Sequence, residues 1–464
     1  MHKWLGQGTN WCVRIGLALM VLAYGAGAQA WSATRLPEIT IPGGGPLSAQ
    51  VDINRDGYKD LISTAPGVNH RGVVEVRYGS SKGFKQKADF HYEGPMDWAQ
   101  VGSSPMALDV NGDGWPDLIV GAYSYSGARQ YAGAILVFFG GPNGFSQTPS
   151  QIIEGPEENS YFGFTMKSLG DFNRDGYADL AVSADTDGDT QGRIYVYTGS
   201  PSGLVLKSDS TLAYPGLSWW YFGRAFDTGD TNGDGIFDVL VGAPTAAGQG
   251  RPGLAFLFRG KATGYTNKYD ELMVAPNEVA GADQWGLAVS ILGDVDGDGF
   301  ADIAISAPNY LPADSNSGDV VSPGRIFVYY GSAAGFNASG RTQVIGAPNA
   351  DAFAFFGEVM LGQRDFNGDG YADLLVGASM RQRGLMGDQP FPGFLWVYTG
   401  GPGGFTKAPY KRSGAPGSVD GLGAIFDAAD VTGDGQMDII TANPAAPTNS
   451  QGLLRVFRGA KGLK

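Results

Sequence analysis

The sequence predicts an all-β fold, a seven-bladed β-propeller of four-stranded antiparallel blades. A nine-residue pattern, Asp-x-Asn-x-Asp-Gly-x-x-Asp, occurs seven times, with Asp or Thr once each at its third position. Successive copies begin 57, 62, 59, 64, 71 and 65 residues apart, which indicates one structural unit repeated in tandem. The 464 residues include 74 Gly and 26 Pro, a composition typical of many short strands joined by tight turns.

The third repeat illustrates how one blade is built from the chain. Phe162 and Gly163 lie near its start, and the acidic pattern follows at residues 171–179. The runs FTMKSLG, ADLAVSAD and RIYVY predict three strands, and a fourth short strand is expected around Thr211. Four strands in about sixty residues are typical of a propeller blade, which buries its faces only by stacking on its neighbours.

Residues 36–42 are expected to close the ring. They precede the first acidic pattern, in the place that a fourth strand such as residues 151–155 occupies before a later pattern. Near the C-terminus, residues 453–457 form a third strand, and only seven residues follow it. We therefore expect the N-terminal strand to complete the last blade, which leaves no long inner edge unpaired.

Residues 1–30 have the features of a secretory signal. Two basic residues accompany an apolar run at residues 15–26, and Ala28-Gln29-Ala30 has the small-x-small form of a cleavage site. The apolar run is short for a membrane span, although an uncleaved N-terminal anchor is the alternative. We expect cleavage after Ala30, a single propeller domain over residues 31–464 without a membrane span, and a secreted, periplasmic or cell-surface location.

The mature chain offers little material for common catalytic constellations. Its only cysteine, Cys12, is lost with the signal, which excludes a disulfide, a zinc–thiolate site and a cysteine nucleophile. Two histidines remain, His70 and His91, and no His-Glu-x-x-His motif is present. We therefore expect a protein that is not an enzyme.

The acidic pattern predicts a calcium loop. Ca²⁺ prefers six to eight oxygen ligands, and here oxygen-bearing side chains alternate before a tight Asp-Gly turn. Positions one, three and five would supply side-chain oxygens, position seven its main-chain carbonyl, and position nine the carboxylate at the start of the next strand. The glycine at position six permits the sharp turn. The expected ligands, for up to seven Ca²⁺ ions, are Asp52, Asn54, Asp56, Tyr58, Asp60; Asp109, Asn111, Asp113, Trp115, Asp117; Asp171, Asn173, Asp175, Tyr177, Asp179; Asp230, Asn232, Asp234, Ile236, Asp238; Asp294, Asp296, Asp298, Phe300, Asp302; Asp365, Asn367, Asp369, Tyr371, Asp373; and Asp430, Thr432, Asp434, Gln436, Asp438.

The net charge agrees with this prediction. Of the 46 acidic residues, 22 lie in the seven patterns. After signal removal 30 basic residues remain, so the net charge is −16, and seven bound Ca²⁺ would bring it to −2. The acidity is thus mostly a set of metal ligands, and no nucleic-acid partner is expected.

Differences at position three predict a ranking of affinities. The fifth loop carries Asp296 and so has the most carboxylates, which predicts the tightest binding, whereas Thr432 predicts the weakest binding in the seventh loop. The alternative is that some loops are metal-free turns held by side-chain to backbone hydrogen bonds, an alternative that applies most to the first and seventh loops.

The repeats resemble the FG-GAP repeat of the integrin α-subunit head. The Phe-Gly pair, the acidic loop and the strand ending Gly242-Ala243-Pro244 carry this resemblance, which covers nearly all of residues 36–460. The first copy lacks the Phe-Gly pair, and Val, Trp or Leu replaces Phe in the second, fifth and seventh copies. The resemblance implies Ca²⁺-binding loops on one face of the ring. We expect a bacterial-style secreted propeller without the legs, membrane span and tail of an integrin. The Phe-Gly pairs themselves are expected to serve packing, with Phe between blades and Gly at close sheet contacts.

The loops on the opposite face are candidates for binding a partner. Two connections there are long, residues 309–323 and 380–392, and others carry aromatic residues. These are Tyr123, Tyr125, Tyr131, Trp98, Tyr161, Trp219, Trp220, Tyr221, Trp285 and Phe355. Packing between blades is the alternative role for each ring.

Three functions remain open from the sequence. The leading hypothesis is a secreted calcium-binding propeller that binds a protein, as an adhesion or interaction module. A carbohydrate-binding, lectin-like propeller is the second, although the aromatics do not repeat identically around the ring. The third is a propeller enzyme, a hydrolase or lyase acting on an extracellular polymer. The sequence does not indicate an oligomeric state.

Overall fold

Seven sheets form the blades of the propeller in the computed structural model, each with four antiparallel strands, and one of them carries an added parallel strand of two residues; this confirms the predicted fold class. The first strands of neighbouring blades lie against each other around the central axis, and the fourth strands lie outermost. The structure describes residues 29–30, 34–186, 192–207, 210–213, 221–244, 253–276, 279, 284–310, 324–346, 355–378, 393–406, 409–413, 422–443 and 451–459.

The strands follow the repeats, and within each blade the chain runs from the innermost strand outward, except that the N-terminal strand is the outermost one of blade 7. Blade 1 has Leu47–Ser48, Leu61–Ala65, Val73–Arg77 and Phe90–Glu93; blade 2 has Val101–Leu108, Asp117–Ala122, Ala134–Phe138 and Gln151–Glu154; blade 3 has Met166–Gly170, Asp179–Ala184, Arg193–Thr198 and Val205–Leu206; blade 4 has Ala225–Gly229, Asp238–Ala243, Leu254–Phe258 and Glu271–Val274; blade 5 has Val289–Gly293, Asp302–Ala307, Arg325–Tyr329 and Thr342–Gly346; blade 6 has Val359–Arg364, Asp373–Ala378, Phe394–Tyr398 and Tyr410–Ser413; and blade 7 has Phe426–Ala429, Asp438–Ala442, Gln451–Phe457 and Ile39–Pro42.

Within the described residues, helix is limited to a 3₁₀ turn at Val68–His70 and a four-residue helix at Phe336–Ser339. The outer strand of blade 3 lies earlier than expected, at Val205–Leu206, and near Thr211 there is only an isolated pairing of Leu212 with Ile194. The expected signal lies outside the described residues except for Gln29–Ala30, which pair in parallel with the outer strand of blade 6.

The ring closes as the sequence predicts. The strand Ile39–Pro42 pairs antiparallel with Gln451–Phe457, with Ile39 opposite Leu454 and Ile41 opposite Gly452. The Leu36 N–H extends this pairing with a 3.0 Å hydrogen bond to the Val456 carbonyl. The two ends of the chain therefore share one blade.

The core consists of seven apolar clusters, one between each pair of neighbouring blades. Phe162, Phe222 and Phe356 are fully buried in these clusters, which confirms a packing role for the Phe of the Phe-Gly pair. The paired glycines lie against neighbouring backbone, since a Cβ at Gly423 would lie 2.1 Å from the Phe394 carbonyl oxygen. Among the described residues, the cluster between blades 7 and 1 contains only Ala, Val, Ile and Leu at its buried positions, in keeping with the missing Phe-Gly pair of the first repeat.

None of the helices in the described part of the chain has the length and apolar character needed to cross a membrane.

The closing strand gives a direct test of the architecture. Replacing the buried Ile41 with Ala should lower the free energy of unfolding by about 2–4 kcal/mol, because it opens a cavity between blades 7 and 1. Replacing the neighbouring exposed Thr40 with Ala should change it by less than about 0.5 kcal/mol. Urea unfolding of the two variants measures both values, and equal effects would contradict the inward orientation of Ile41.

Candidate metal loops and the opposite face

All seven acidic loops lie at one end of the ring. Each loop joins the first strand of its blade to the second, as residues 109–117 do between Val101–Leu108 and Asp117–Ala122. In six blades the Asp at position nine is the first residue of the second strand, and Asp60 directly precedes that strand in blade 1. The turns between third and fourth strands share this end of the ring, because the strands alternate in direction, and the remaining connections lie at the opposite end.

Two positions in every loop adopt the left-handed backbone conformation. Position six is glycine throughout, with φ between 81° and 96°. Position four also has positive φ in all seven loops, where five copies carry glycine and two carry Arg55 and Arg174, each at φ 61°. Sequence analysis identified only the first of these requirements. The repeated Gly before the Asp-Gly turn was the available signal for the second.

Side chains at positions one, three and five accept hydrogen bonds from main-chain N–H groups of the same loop. In blade 3, Asp171 Oδ2 accepts the Gly176 N–H at 2.9 Å and Asn173 Oδ1 accepts the Asp175 N–H at 3.0 Å. The bond from position six to position one occurs in all seven loops at 2.7–2.9 Å. These hydrogen bonds are compatible with a metal-free turn and also with a calcium loop, because a carboxylate oxygen that accepts one hydrogen bond retains a lone pair for a metal.

The carboxylate at position nine has a structural role that the sequence did not indicate. It is at most 1% exposed in every blade. One oxygen accepts the N–H of position two at 2.7–3.1 Å. The other accepts the N–H of a glycine just after the third strand at 2.8–3.0 Å. The carboxylate thus joins the two turns of each blade that lie at this end of the ring.

The glycine after the third strand allows its turn to pack closely against the main chain at position eight of the acidic loop. A Cβ at Gly140 would lie 2.2 Å from the Pro116 carbonyl oxygen, and one at Gly79 would lie 2.3 Å from the Lys59 carbonyl oxygen. A glycine occupies this place in all seven repeats, so the signal was present in the sequence. The full set is Gly79, Gly140, Gly199, Gly260, Gly331, Gly400 and Gly459.

Burial strongly affects the ionisation of position nine. Loss of hydration raises the pKa of Asp179 to about 7, although the N–H groups of Gly199 and Phe172 favour its charged form. The same cause raises the pKa of Asp302 and Asp373 to about 7 and that of Asp60 to about 6. A cation placed beside such a carboxylate would stabilise its charged form.

The fifth loop has the arrangement that best fits a metal ion. Ligand oxygens of Asp294, Asp296 and Asp302 lie within 4.8 Å of one another. Oxygens bound to one Ca²⁺ at 2.3–2.6 Å can be no more than about 5 Å apart, so these carboxylates are close enough to share an ion. Their hard oxygen donors also suit Ca²⁺ rather than a thiophilic metal. In the seventh loop, by contrast, the Thr432 hydroxyl is engaged with Asp438 Oδ2 at 3.1 Å.

The side chain at position seven also contacts a neighbouring loop, in addition to the ligand role expected for its main-chain carbonyl. The rings of Tyr177, Tyr371 and Tyr58 lie over the position-four glycine of the preceding loop, where an added Cβ would be 2.5–2.8 Å from the ring. The Arg55 guanidinium similarly lies 4.5 Å over the Trp115 ring of the next loop. Side chains therefore link neighbouring loops around the ring.

Main-chain hydrogen bonds strengthen two of these links. The Ala178 N–H of blade 3 donates to the Asp109 carbonyl of blade 2 at 3.0 Å. The Ala372 N–H of blade 6 donates in the same way to the Asp294 carbonyl of blade 5 at 2.9 Å. Each donor belongs to the same peptide unit as a position-seven carbonyl, so a ligand group in one loop is tied to the backbone of the next.

The opposite face carries two stacked ring pairs built in the same way. In each, a residue from the connection between the second and third strands meets one from the connection to the next blade. His70 stacks on Trp98 at a 4.2 Å centroid distance, and Tyr131 stacks on Tyr161 at 6.5 Å. Trp98 is 56% exposed and Tyr131 is 37% exposed. All four residues have positive φ, a conformation that costs a non-glycine residue roughly 1–2 kcal/mol.

Other candidates on this face have different surroundings. Trp285 is 1% exposed and packs between blades, so of the two roles left open for this ring the structure shows packing. Tyr123, Tyr125, Tyr221 and Phe355 are partly buried. Trp219, Trp220 and most of the two long connections lie outside the described residues.

Comparison with known families identifies the repeats. The FG-GAP repeat model matches residues 101–138, 168–197, 222–253 and 285–329, and an FG-GAP-like repeat model matches residues 365–441. Together these matches include six of the seven acidic loops, those of blades 2 to 7.

Curated relatives agree with the family models. Integrin alpha-7 of Mus musculus is 35% identical over 192 residues, which are 40% of this chain and 16% of the relative. Integrin alpha-3 of Cricetulus griseus is 32% identical over 193 residues, or 40% of this chain and 18% of the relative. Integrin alpha-4 of Xenopus laevis is 27% identical over 270 residues, or 54% of this chain and 24% of the relative. The chain thus spans less than a quarter of the length of these relatives.

Position nine yields a prediction that does not depend on metal. In a chelator at pH 8, Asp179→Ala should lower the free energy of unfolding by about 2–4 kcal/mol, because two buried N–H groups lose their acceptor. Asp175→Ala removes the same charge from the same loop at an exposed position and should cost about 1 kcal/mol or less. Urea unfolding measures both, and equal costs would contradict the bridging role of the buried carboxylate.

Proposed function

We propose, from the premise that this chain is built of FG-GAP repeats similar to those of integrin α-subunits, that it is a secreted, calcium-binding and non-catalytic module for protein interaction or adhesion. The proposal places Ca²⁺ in the seven acidic loops and a protein partner on the opposite face. It includes release of the signal near Ala30, so that residues 31–464 form the mature propeller outside the cytoplasm or at the cell surface.

The pair of exposed ring stacks is the observation that carries the binding part of the proposal. A large aromatic ring exposed on a loop gains little for folding, whereas Trp and Tyr are frequent anchors in protein interfaces. Trp98 and Tyr131 are also held in a left-handed backbone conformation that the rest of the propeller must stabilise. Strain of this kind concentrates at functional sites.

The face has charge as well as apolar area. The Arg224 guanidinium lies 5.2 Å from the Phe164 ring and 5.5 Å from the Tyr221 ring, and its Nη1 is 3.4 Å from the Asp185 carboxylate. Aromatic and arginine side chains together are the composition that distinguishes interface cores from ordinary surface. This composition favours a protein partner.

Calcium in the proposal serves stability. The loops connect strands within a blade and touch neighbouring loops, so an ion there holds the rigid ring that presents the opposite face. Ligands that bind only the folded state stabilise it by mass action. The ions are not assigned a direct part in partner binding.

The calcium part predicts a stoichiometry and a stability shift. Residues 31–464, dialysed against Ca²⁺ and analysed for bound metal, should contain up to seven Ca²⁺ per chain. The unfolding temperature should be higher in millimolar Ca²⁺ than in EDTA, since each site filled at about 100 times its Kd contributes about 2.7 kcal/mol. Mg²⁺ at the same concentration is the control. Absence of bound metal together with an unchanged unfolding temperature would contradict this part.

The binding part predicts a face-specific loss. The double variant Trp98→Ala/Tyr131→Ala should weaken binding to an immobilised protein partner, chosen from a panel of extracellular proteins, by at least about tenfold. The matched control is Ile152→Ala/Val274→Ala, which removes two exposed apolar side chains from outer strands and should leave binding unchanged. Polysaccharides belong in the same panel. Binding only to polysaccharides, or equal loss in both double variants, would contradict the proposal.

A further inference from the structure

Five of the seven loops use an amide to hold two of their proposed ligands together. The Asn at position three donates a side-chain N–H to the position-five carboxylate at 2.8–3.1 Å in each of them. In blade 3, for example, Asn173 Nδ2 lies 2.8 Å from Asp175 Oδ2. The amide thus supplies, from within the loop, the hydrogen-bond donor that joins the two side chains.

The fifth loop cannot form this bond, because Asp296 at position three is a carboxylate beside the carboxylate of Asp298. A guanidinium from outside the loop takes the place of the amide donor. Arg341 Nη1 lies 2.5 Å from Asp296 Oδ2 and 3.9 Å from Asp298 Oδ2. Arg341 directly precedes the outer strand Thr342–Gly346, and its guanidinium also lies 4.6 Å over the Tyr330 ring.

The burial of the two partners is unequal. The Asp296 side chain is 4% exposed, whereas that of Arg341 is 50% exposed. A carboxylate so far removed from water depends on a partner charge. The guanidinium is half-exposed, and Arg341 lies outside the outer strand, which begins at Thr342.

We propose that Arg341 is a built-in counter-cation of the fifth loop. It holds the proposed ligands Asp296 and Asp298 together when Ca²⁺ is absent and competes with Ca²⁺ for them. The inference rests on the proposed calcium function. It also changes the affinity expected for this loop, because the charge added by Asp296 is offset by Arg341.

A double-mutant cycle in EDTA tests the pairing without any metal. Arg341→Gln should lower the unfolding temperature by about 1–2 °C, because it leaves Asp296 buried beside Asp298 without a cation. In the Asp296→Asn background the same change should have little effect, since the amide donor of the other loops is restored. An equal effect of Arg341→Gln in both backgrounds would overturn the pairing.

Measurements in the presence of Ca²⁺ distinguish an arginine that acts as a counter-cation from one whose role is purely structural. In saturating Ca²⁺ the ion neutralises the carboxylates, so Arg341→Gln should leave the unfolding temperature unchanged. Titration against a chromophoric chelator should show one site whose affinity rises about fivefold in Arg341→Gln. The control Lys82→Gln removes one positive charge from an exposed turn at the same end of the ring and should alter neither result.

The outcomes distinguish this inference from the proposed function. A loss of stability from Arg341→Gln that is equal in EDTA and in Ca²⁺ would overturn competition with the metal. An affinity gain that Lys82→Gln reproduces would do the same, because it would reflect overall charge. If no variant binds Ca²⁺, the proposed function fails and competition fails with it, whereas the cycle in EDTA still decides whether Arg341 pairs with Asp296.

Discussion

The buried carboxylate at position nine is the constraint on which each blade depends. It accepts one N–H from the start of its own loop and another from the glycine turn after the third strand. A single side chain thereby aligns the first, second and third strands at one end of the blade. An unpaired buried N–H is costly, so this carboxylate couples the loop and the turn to the sheet. This alignment also supports the geometry that would suit a calcium ion, because the side chains at positions one, three and five are hydrogen-bonded to the main chain of the same loop.

The spacing of the repeats made most of the fold predictable. Seven copies of one pattern indicated seven blades, and the surplus N-terminal strand indicated how the ring closes. The number of blades follows from strand pairing within each repeat. The place of the N-terminal strand follows because the last blade needs a fourth strand to close the ring. In blade 3 the outer strand Val205–Leu206 pairs only with one end of the third strand, and Leu212 pairs with Ile194 near its other end.

Several parts of the site that sequence analysis missed depend on contacts between residues that lie far apart in the chain. Tyr177 and Arg55 lie within the pattern, but the groups that they touch lie in neighbouring blades. Arg341 lies far from Asp296 in the chain, and only the folding of blade 5 brings the two together. For Trp285 the sequence left binding and packing between blades open, and the structure shows packing, because its ring fills the core between two blades. A repeat pattern shows which residues recur in each blade, but it does not show which side chains the fold brings into contact.

We propose that the seven loops are calcium sites formed by the fold itself. The most direct measurement is an anomalous difference map, calculated from crystals of residues 31–464 grown in CaCl₂. The account predicts a peak in each loop, about 2.3–2.6 Å from the oxygens of positions one, three, five, seven and nine. Loops that keep the same hydrogen bonds but contain no anomalous peak would contradict it, and would identify the acidic pattern as a turn that serves folding alone.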